Sequence, residues 1–192
     1  FGSTMQSSQT KVQRGFTLIE VLIAFIILSF GLLGAVALQA KAKQASFDSM
    51  QRAAAIALGN DIVQRIRAND TIASIEKYGK AKIDSSGALA TTKACFGSPC
   101  NSSAIADMDI VQWKRAIQAR ENTGTLDDAT ICINPTSVAD TGGKGFNIEV
   151  IISWQGRQEF KANTDTGKIT CGNKPNNKRR LVVLTSYIYV RS

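Results

Sequence analysis

The chain has 192 residues, a formal net charge of +8 and 44% hydrophobic residues. It contains no histidine, which excludes imidazole catalysis and metal binding by imidazole. The sequence shows no nucleophile–base pair, no glycine-rich phosphate loop and no cluster of metal ligands, so we expect neither an enzyme nor a cofactor. The length beyond the N-terminal region suits one small domain with a single hydrophobic core.

An apolar run begins near the N-terminus and contains one carboxylate. From Phe16 to Leu38, the only side chains that are not apolar belong to Thr17, Glu20 and Ser29. A run of this length can span a bilayer as a helix. An acid inside such a run is costly in lipid, and we therefore interpret Glu20 as a functional residue.

The segment before the run carries Lys11 and Arg14 and no acid. The run is too long for a secretory signal peptide, and no small-residue cleavage site follows it. The positive flank predicts a cytoplasmic N-terminus, with the bulk of the chain on the other side of the membrane. We expect Met5 to be the natural start and Phe1–Thr4 to be an expression remnant or upstream residues.

The residues Gly15-Phe16-Thr17-Leu18-Ile19-Glu20 resemble the type IV prepilin signal. The resemblance implies that a membrane prepilin peptidase cuts between Gly15 and Phe16, and that the new amine of Phe16 is N-methylated. It also implies a leader at 1–15, a transmembrane and filament-core half of a long helix at 16–38, and a periplasmic head at 39–192. An ordinary signal anchor would explain neither the Arg-Gly-Phe junction nor the spacing of Glu20.

Glu20 has a physical reason to act in assembly. A buried carboxylate needs a cationic partner or a proton. Cleavage would create a cationic amine at Phe16, one helical turn from Glu20, and the amine of a neighbouring subunit could pair with Glu20 inside a filament. Such pairing would favour the assembled state over a single subunit in lipid.

The apolar run continues as an amphipathic helix that we expect to end near 68–70. The apolar positions at steps of three and four predict a buried stripe of Phe47, Met50, Ala54, Leu58, Ile62 and Ile66. The polar side chains predicted to cover the other faces are Asp48, Gln51, Arg52, Asn60, Gln64, Arg65 and Arg67. Gly31 and Gly34 either loosen the helix between Ser29 and Gly34 or let neighbouring helices approach closely.

The rest of the chain predicts a mixed head. Residues 71–103 are expected to form a long irregular connection. A short helix is predicted over 107–118, starting at Asp107 or Asp109, and its core candidates are Met108, Val111, Trp113 and Ile117. Strands are predicted at 130–133, 146–154 and 181–190, and a further one at 158–161 after a turn.

These elements together predict an α+β class, with a long N-terminal helix packed on a small antiparallel sheet of three or four strands. The resemblance to type IV prepilins implies the same architecture, namely the type IV pilin fold.

Four cysteines, Cys95, Cys100, Cys132 and Cys171, lie in the part expected to be exported. An even number in an oxidising compartment predicts two disulfides. We favour Cys95–Cys100, which would close a short loop containing Gly and Pro, and Cys132–Cys171, which would staple the loop before the last strand. A zinc site with four cysteine ligands is the alternative, although the spacing lacks paired C-x-x-C knuckles.

Several segments resemble the type IV pilus modification protein (PilV-like) family of minor pilins. They are 29–34, 38–39, 61–69, 109–113 and 150–154. The resemblance implies a subunit that joins other minor pilins, the major pilin and a tip adhesin in a complex that primes pilus assembly. It further implies roles in adhesion and twitching motility, and an inner-membrane location before assembly into the extracellular pilus.

A basic segment near the C-terminus allows a second interpretation. Lys174, Lys178, Arg179 and Arg180 could bind DNA phosphates, as expected of a DNA-binding minor pilin in DNA uptake. No aromatic residue interleaves these cations, so base stacking has little support. A solvated loop that keeps the head soluble is the simpler interpretation. A minor pseudopilin of type II secretion, which shares the N-terminal signal, is a third possibility.

Overall fold

A computed structural model describes residues 15–160, 164–172 and 177–191. The leader residues Lys11 and Arg14, and Lys174 of the basic segment, lie outside the described residues. The chain divides into two compact units, one ending at Ala45 and one beginning at Ser46. Helix α1, Leu18–Ala68, runs through both and ends where the sequence predicted.

In the first unit, α1 is helical at every position and all of its side chains are exposed. The helix is unbroken between Ser29 and Gly34. A Cβ added at Gly31 or Gly34 would meet no atom within 4 Å, so no contact among the described residues requires glycine there. The Ser29 hydroxyl donates to the Phe25 carbonyl at 2.7 Å, which satisfies it inside the helix.

In the second unit, one stripe of α1 is buried, and it differs in part from the predicted one. The buried residues are Gln51, Ala55, Leu58, Gly59, Ile62 and Ile66. The prediction was wrong at Met50, which is 55% exposed, and at Gln51, which was assigned to a polar face but is buried with no hydrogen bond to Oε1 within the described residues. The spacing of apolar residues predicted burial of Met50 and Ala54, whereas the structure buries Gln51 and Ala55, one position further along the helix.

Gly59 lets α1 approach the sheet closely. A Cβ at this position would lie 2.5 Å from Cδ1 of Leu184 and 3.4 Å from Cδ1 of Ile152. These two side chains therefore occupy the space that any larger residue at position 59 would need.

The expected irregular connection after α1 is partly regular. Helix α2, Ile72–Lys80, begins with a reciprocal capping box in which the Ser74 N–H donates to Thr71 Oγ1, and the Thr71 N–H donates to Ser74 Oγ, both at 3.2 Å. Ile75 and Tyr78 are buried. A two-residue strand β1, Ile83–Asp84, follows. The prediction overlooked a signal in the sequence, because Thr71 is a typical helix N-cap and Ile72, Ile75 and Tyr78 recur at steps of three.

Helix α3, Ser102–Asn122, is longer than predicted. It begins at the N-cap Asn101, whose side-chain oxygen accepts the Ala104 N–H at 2.8 Å, and not at Asp107 or Asp109. Trp113 and Ile117 are buried as expected. Met108 and Val111 are only half-buried.

The sheet has four antiparallel strands in the order β1-β2-β3-β4, so the predicted fold class is confirmed. Strand β2 is Asp127–Ser137, β3 is Gly145–Gln155 and β4 is Arg179–Tyr189. The described part of 158–161, residues 158–160, is not a strand; the fourth strand is β1 instead. The Phe160 N–H bonds the Asn177 carbonyl at 2.7 Å, and a one-turn helix α4, Thr164–Gly167, follows.

The two faces of the sheet have different environments. The face toward α1 carries Ile148, Val150, Ile152 and Trp154 of β3, all buried. On the opposite face, Ile151 and Ser153 are covered at one end by the segment around Cys171, and the Ser153 hydroxyl donates to the Cys171 carbonyl at 3.1 Å. The other end of this face is open.

Candidate functional site

The predicted assembly motif forms the start of α1. Gly15, Phe16 and Thr17 precede the helix and are exposed. The Glu20 N–H donates to Thr17 Oγ1 at 3.3 Å, and the Thr17 N–H donates to Glu20 Oε2 at 3.2 Å. This reciprocal pair is a capping box, which satisfies two backbone donors that the first helical turn cannot pair by itself. Thr17 is the N-cap and Glu20 the third helical residue.

The sequence analysis missed the role of Thr17. The spacing Thr-x-x-Glu ahead of an apolar run is the usual signal of a capping box and was available. Glu20 therefore has a local function besides any function in assembly. Its carboxylate fixes where the helix begins, and its negative charge lies at the positive end of the helix dipole.

The surroundings of this motif are apolar and open. Phe16 is 89% exposed, and every apolar side chain of α1 up to Leu38 is exposed within the chain. A contiguous apolar surface of this size marks contact with lipid or with another protein. The helix is also long and apolar enough to cross a membrane, by length and composition.

The peptide bond between Gly15 and Phe16 is sterically accessible. Both residues are exposed, and a Cβ added at Gly15 would meet no atom within 4 Å. Both residues also lie just before the helix, which begins at Leu18. Non-helical backbone can enter an enzyme cleft, whereas helical backbone has to unwind first.

The second unit contains a polar network that joins three helices. Asp109 of α3 accepts hydrogen bonds from Arg65 Nη1 of α1 at 3.1 Å and from the Tyr78 hydroxyl of α2 at 2.6 Å. Asn69 donates to the Tyr78 hydroxyl at 3.2 Å. The indole of Trp113 donates to Asp61 at 3.2 Å. The network holds the three helices together.

Charge and burial shift two pKa values in this network. Burial, reinforced by the hydrogen bond to Asp109, raises the pKa of Tyr78. Burial alone would lower the pKa of Arg65, but the hydrogen bond to Asp109 and the charges of Asp61 and Asp109 outweigh it and raise the value. Both groups keep their protons at physiological pH.

The basic segment is built into the head. Arg179 Nη1 and Nη2 donate to the carbonyls of Ile169 and Thr166, each at 2.8 Å. Arg180 Nη2 donates to the Gln158 carbonyl at 2.7 Å, and its guanidinium lies 4.4 Å from the centre of the Phe160 ring. Burial lowers the pKa of both arginines.

These contacts give both arginines a structural function, which is to hold the connection between β3 and β4. Lys178 is exposed beside them. Because the guanidinium donors already bind backbone carbonyls, the segment offers fewer donors to phosphate than the sequence suggested.

Both disulfides form between the pairs named from the sequence. Cys95 joins Cys100 with Cα atoms 5.6 Å apart, and Cys132 of β2 joins Cys171 with Cα atoms 6.0 Å apart. The second bond fixes the segment that covers one end of the outer sheet face. No group of three or more His, Cys, Asp or Glu side chains that could hold a metal occurs among the described residues.

Comparison with known families agrees with these observations. Residues 10–36 match the prokaryotic N-terminal methylation motif, and residues 37–111 match the family described as type IV pilin Tt1218. No curated protein and no solved structure gives a match. The motif match contains the Thr17–Glu20 cap, and the family match runs from the apolar helix into α3. Over these residues the chain is therefore similar to type IV pilins, which are structural proteins without enzymatic activity, and it carries the N-terminal methylation motif.

Proposed function

We propose that this chain is a minor pilin that matures by cleavage between Gly15 and Phe16, is N-methylated at Phe16, and then assembles with other pilins. The observation that carries the proposal is the accessible Gly15–Phe16 bond directly before an exposed apolar helix that Glu20 caps. Prepilin peptidase would be the processing partner.

Glu20 would set the position of an incoming subunit. An unpaired charged side chain at the centre of a membrane helix raises the free energy of insertion by about 3 kcal/mol. The capping box offsets part of this cost through one carboxylate oxygen. The amine of Phe16 in a neighbouring mature subunit would offset more of it by pairing with the carboxylate.

This mechanism would give each of three parts of the chain its own role. Residues 1–15 are removed as the leader, 16–38 anchor the subunit in the inner membrane with the N-terminus cytoplasmic, and 39–192 form the periplasmic head. After assembly, 16–38 become part of the filament core. The fully exposed apolar surface of this helix segment supports a burial partner outside the chain.

The subunit would act as a PilV-like component of a tip or priming complex. Its partners would be other minor pilins, the major pilin and a tip adhesin. Support comes from the sequence resemblance, and the buried Trp113 and Trp154 show that the two tryptophans of the resembling segments belong to the core.

The maturation step is tested by expressing the chain in cells with a type IV pilus system. Gly15→Val should block cleavage, because a branched side chain replaces hydrogen next to the scissile bond. Mass spectrometry of the membrane fraction should then show only precursor, while the wild type shows an N-methylated Phe16. Normal processing of Gly15→Val would contradict the cleavage site.

The assembly step is tested with Glu20→Gln, which keeps the side-chain shape and removes the charge. We expect normal cleavage and a drop of about tenfold or more in the amount recovered from sheared pili, since one lost charge pair of about 1.4 kcal/mol has that effect. Ser29→Ala is the matched control, because Ser29 bonds only within the helix. Wild-type incorporation of Glu20→Gln would refute the assembly role.

The minor-pilin assignment is tested by abundance. Quantitative mass spectrometry of sheared pili should find this chain at a few per cent or less of the main subunit, and deletion of the chain should reduce the number of pili. If the chain makes up most of the fibre, it is a major pilin instead.

A further inference from the structure

Strand β4 is an edge of the sheet, and beyond Arg179 and Arg180 it lacks the features that usually protect an edge. The order β1-β2-β3-β4 leaves β4 paired on one side only, over eleven residues. No charged residue or proline occurs from Leu181 to Val190. Natural proteins normally place charges, proline or a covering segment on such an edge, because it can pair with another chain.

The hydrogen bonds around β4 show which backbone groups point outward. The Val190 N–H donates to the Lys144 carbonyl at 2.9 Å, and the Gly156 N–H donates to the Lys178 carbonyl at 2.7 Å. Even-numbered residues of β4 therefore face β3. By the alternation of an antiparallel pair, the odd-numbered residues direct N–H and C=O to the free edge. They are Leu181, Val183, Thr185, Tyr187 and Tyr189.

No other segment covers this edge within the part of the chain that the structure describes. The backbone hydrogen bonds of Leu181–Tyr189 among those residues all lie within the β3–β4 ladder. Beyond Tyr189, the outward-pointing Arg191 N–H bonds the Asp70 carbonyl at 3.0 Å. Val183, Tyr187 and Tyr189 are 38%, 47% and 56% exposed, so the outer face of β4 is accessible as well.

We propose that the free edge of β4 binds an extended segment of another pilin subunit, which adds to the sheet as a fifth strand. Only an extended chain presents donors and acceptors at the two-residue spacing that this edge requires. The middle of the partner segment should be uncharged, because it would lie beside the uncharged side chains of Val183, Thr185 and Tyr187 in β4. The inference rests on the proposed function only in taking the partner to be a pilin.

Charge favours a partner strand with acidic ends and disfavours a second copy of this chain. Lys178, Arg179 and Arg180 lie at one end of β4. Arg191 lies at the other end, where its Nε is 2.6 Å from Oδ1 of Asp70, so part of its charge is already balanced within the chain. Antiparallel self-pairing centred on Thr185 would set Arg179 opposite Arg191 of the other copy, and like charges directly opposite destabilise a strand pair.

Amide hydrogen exchange by NMR tests the proposal on the full chain in detergent micelles. The probe is a synthetic peptide, Asp-Glu-Thr-Val-Thr-Tyr-Thr-Glu-Asp. Without it, the amides of the five odd-numbered residues should exchange fast and those of even-numbered residues slowly. Saturating peptide should slow exchange at least tenfold at the odd-numbered positions only. Unchanged exchange, or slow exchange at these positions without peptide, overturns the proposal.

A proline at the centre of the edge gives the second measurement. Thr185→Pro removes one outward N–H and no bond to β3, so peptide affinity should fall about tenfold. Thr185→Val keeps the N–H and the branched shape and should bind like the wild type. Slow exchange at the even-numbered positions verifies that a variant is folded. Wild-type affinity of a folded Thr185→Pro contradicts edge pairing, and the peptide result on the wild-type chain decides the matter if the variant does not fold.

Two further arms identify the partner. A peptide with lysines in place of the four acids should bind more weakly, and equal binding overturns the acid-ended partner. Protection of the odd-numbered amides that grows with protein concentration, without peptide, would show self-pairing and overturn the choice of another subunit. All these measurements use purified protein, so their failure leaves the cellular tests of Gly15 and Glu20 unaffected.

Discussion

At the scale of single residues, Asp109 connects three helices of the head. Its side chain is almost fully buried, and it accepts hydrogen bonds from Arg65 and Tyr78, so one carboxylate ties α3 to α1 and α2. A buried charge is tolerated only when it is paired and hydrogen-bonded. Removing one donor from such a group costs more than the bond contributes, because the acceptor is left unsatisfied.

Tyr78→Phe removes the hydroxyl that donates a hydrogen bond to Asp109. We expect the free energy of unfolding at pH 8 to fall by about 1–3 kcal/mol, measured by urea denaturation of the full chain in detergent. Tyr187→Phe is the control, because Tyr187 is exposed and should change little.

The pH dependence adds a second measurement on the same variant. Burial raises the pKa of Tyr78 above its ordinary value of 10.0. Its contribution to stability is therefore complete below pH 10, and it declines above pH 10, where the unfolded chain releases the proton first. The wild type should lose more stability than Tyr78→Phe between pH 9 and about pH 11. Equal losses would show that Tyr78 is not held protonated.

At the scale of elements, the two disulfides constrain loops of very different length. Cys95–Cys100 spans five positions within one loop, whereas Cys132–Cys171 spans 39 and joins β2 to the segment before β4. In the chain-entropy model, a longer closed loop loses more freedom in the unfolded state. The second bond also holds the segment that Arg179 binds through the Ile169 and Thr166 carbonyls.

Replacing both members of each pair by serine should separate these effects. We expect the Cys132→Ser/Cys171→Ser variant to lose about 4 kcal/mol and the Cys95→Ser/Cys100→Ser variant about 2 kcal/mol, measured by chemical denaturation. Peptide mapping without reductant checks the pairing. A peptide that links Cys95 to Cys132 would contradict it.

At the scale of the whole molecule, burial is divided unevenly along the chain. Among the described residues, the first buried one is Gln51, and all of the core lies from that point onward. The exposed apolar side chains are concentrated from Phe16 to Leu38. The head thus has its own core, whereas the first unit depends on lipid or on other subunits for burial.

A chain that begins at Ser46 should therefore fold as a soluble monomer without detergent, and the full chain should require detergent. Near-ultraviolet circular dichroism from the buried Trp113 and Trp154 should match between the two forms. Light scattering should show aggregation of the full chain alone when detergent is removed. Loss of the tryptophan signal in the shorter chain would show that the head needs the first half of α1.

The elements with strong periodicity were predictable. The apolar run, the end of α1 near Ala68, and strands β2, β3 and β4 follow from local pattern. The short or polar elements were not, because α2 and the start of α3 depend on caps by Thr71 and Asn101 and on burial of a few side chains. Residues 158–160 were predicted to begin a strand, yet they lie outside the sheet, where they contact Asn177 and Arg180.

The sequence by itself indicated the similarity to type IV pilins, since Gly15, Phe16 and Glu20 lie in a methylation motif whose spacing is local and needs no tertiary contact. Tertiary structure decided what the remaining polar residues do. Arg179 and Arg180 bind backbone carbonyls, Asp109 ties three helices together, and β4 becomes an open edge. The physical reason is that a helix cap or a periodic apolar pattern depends only on residues close in sequence. Hydrogen-bond partners across the fold depend instead on how the elements pack.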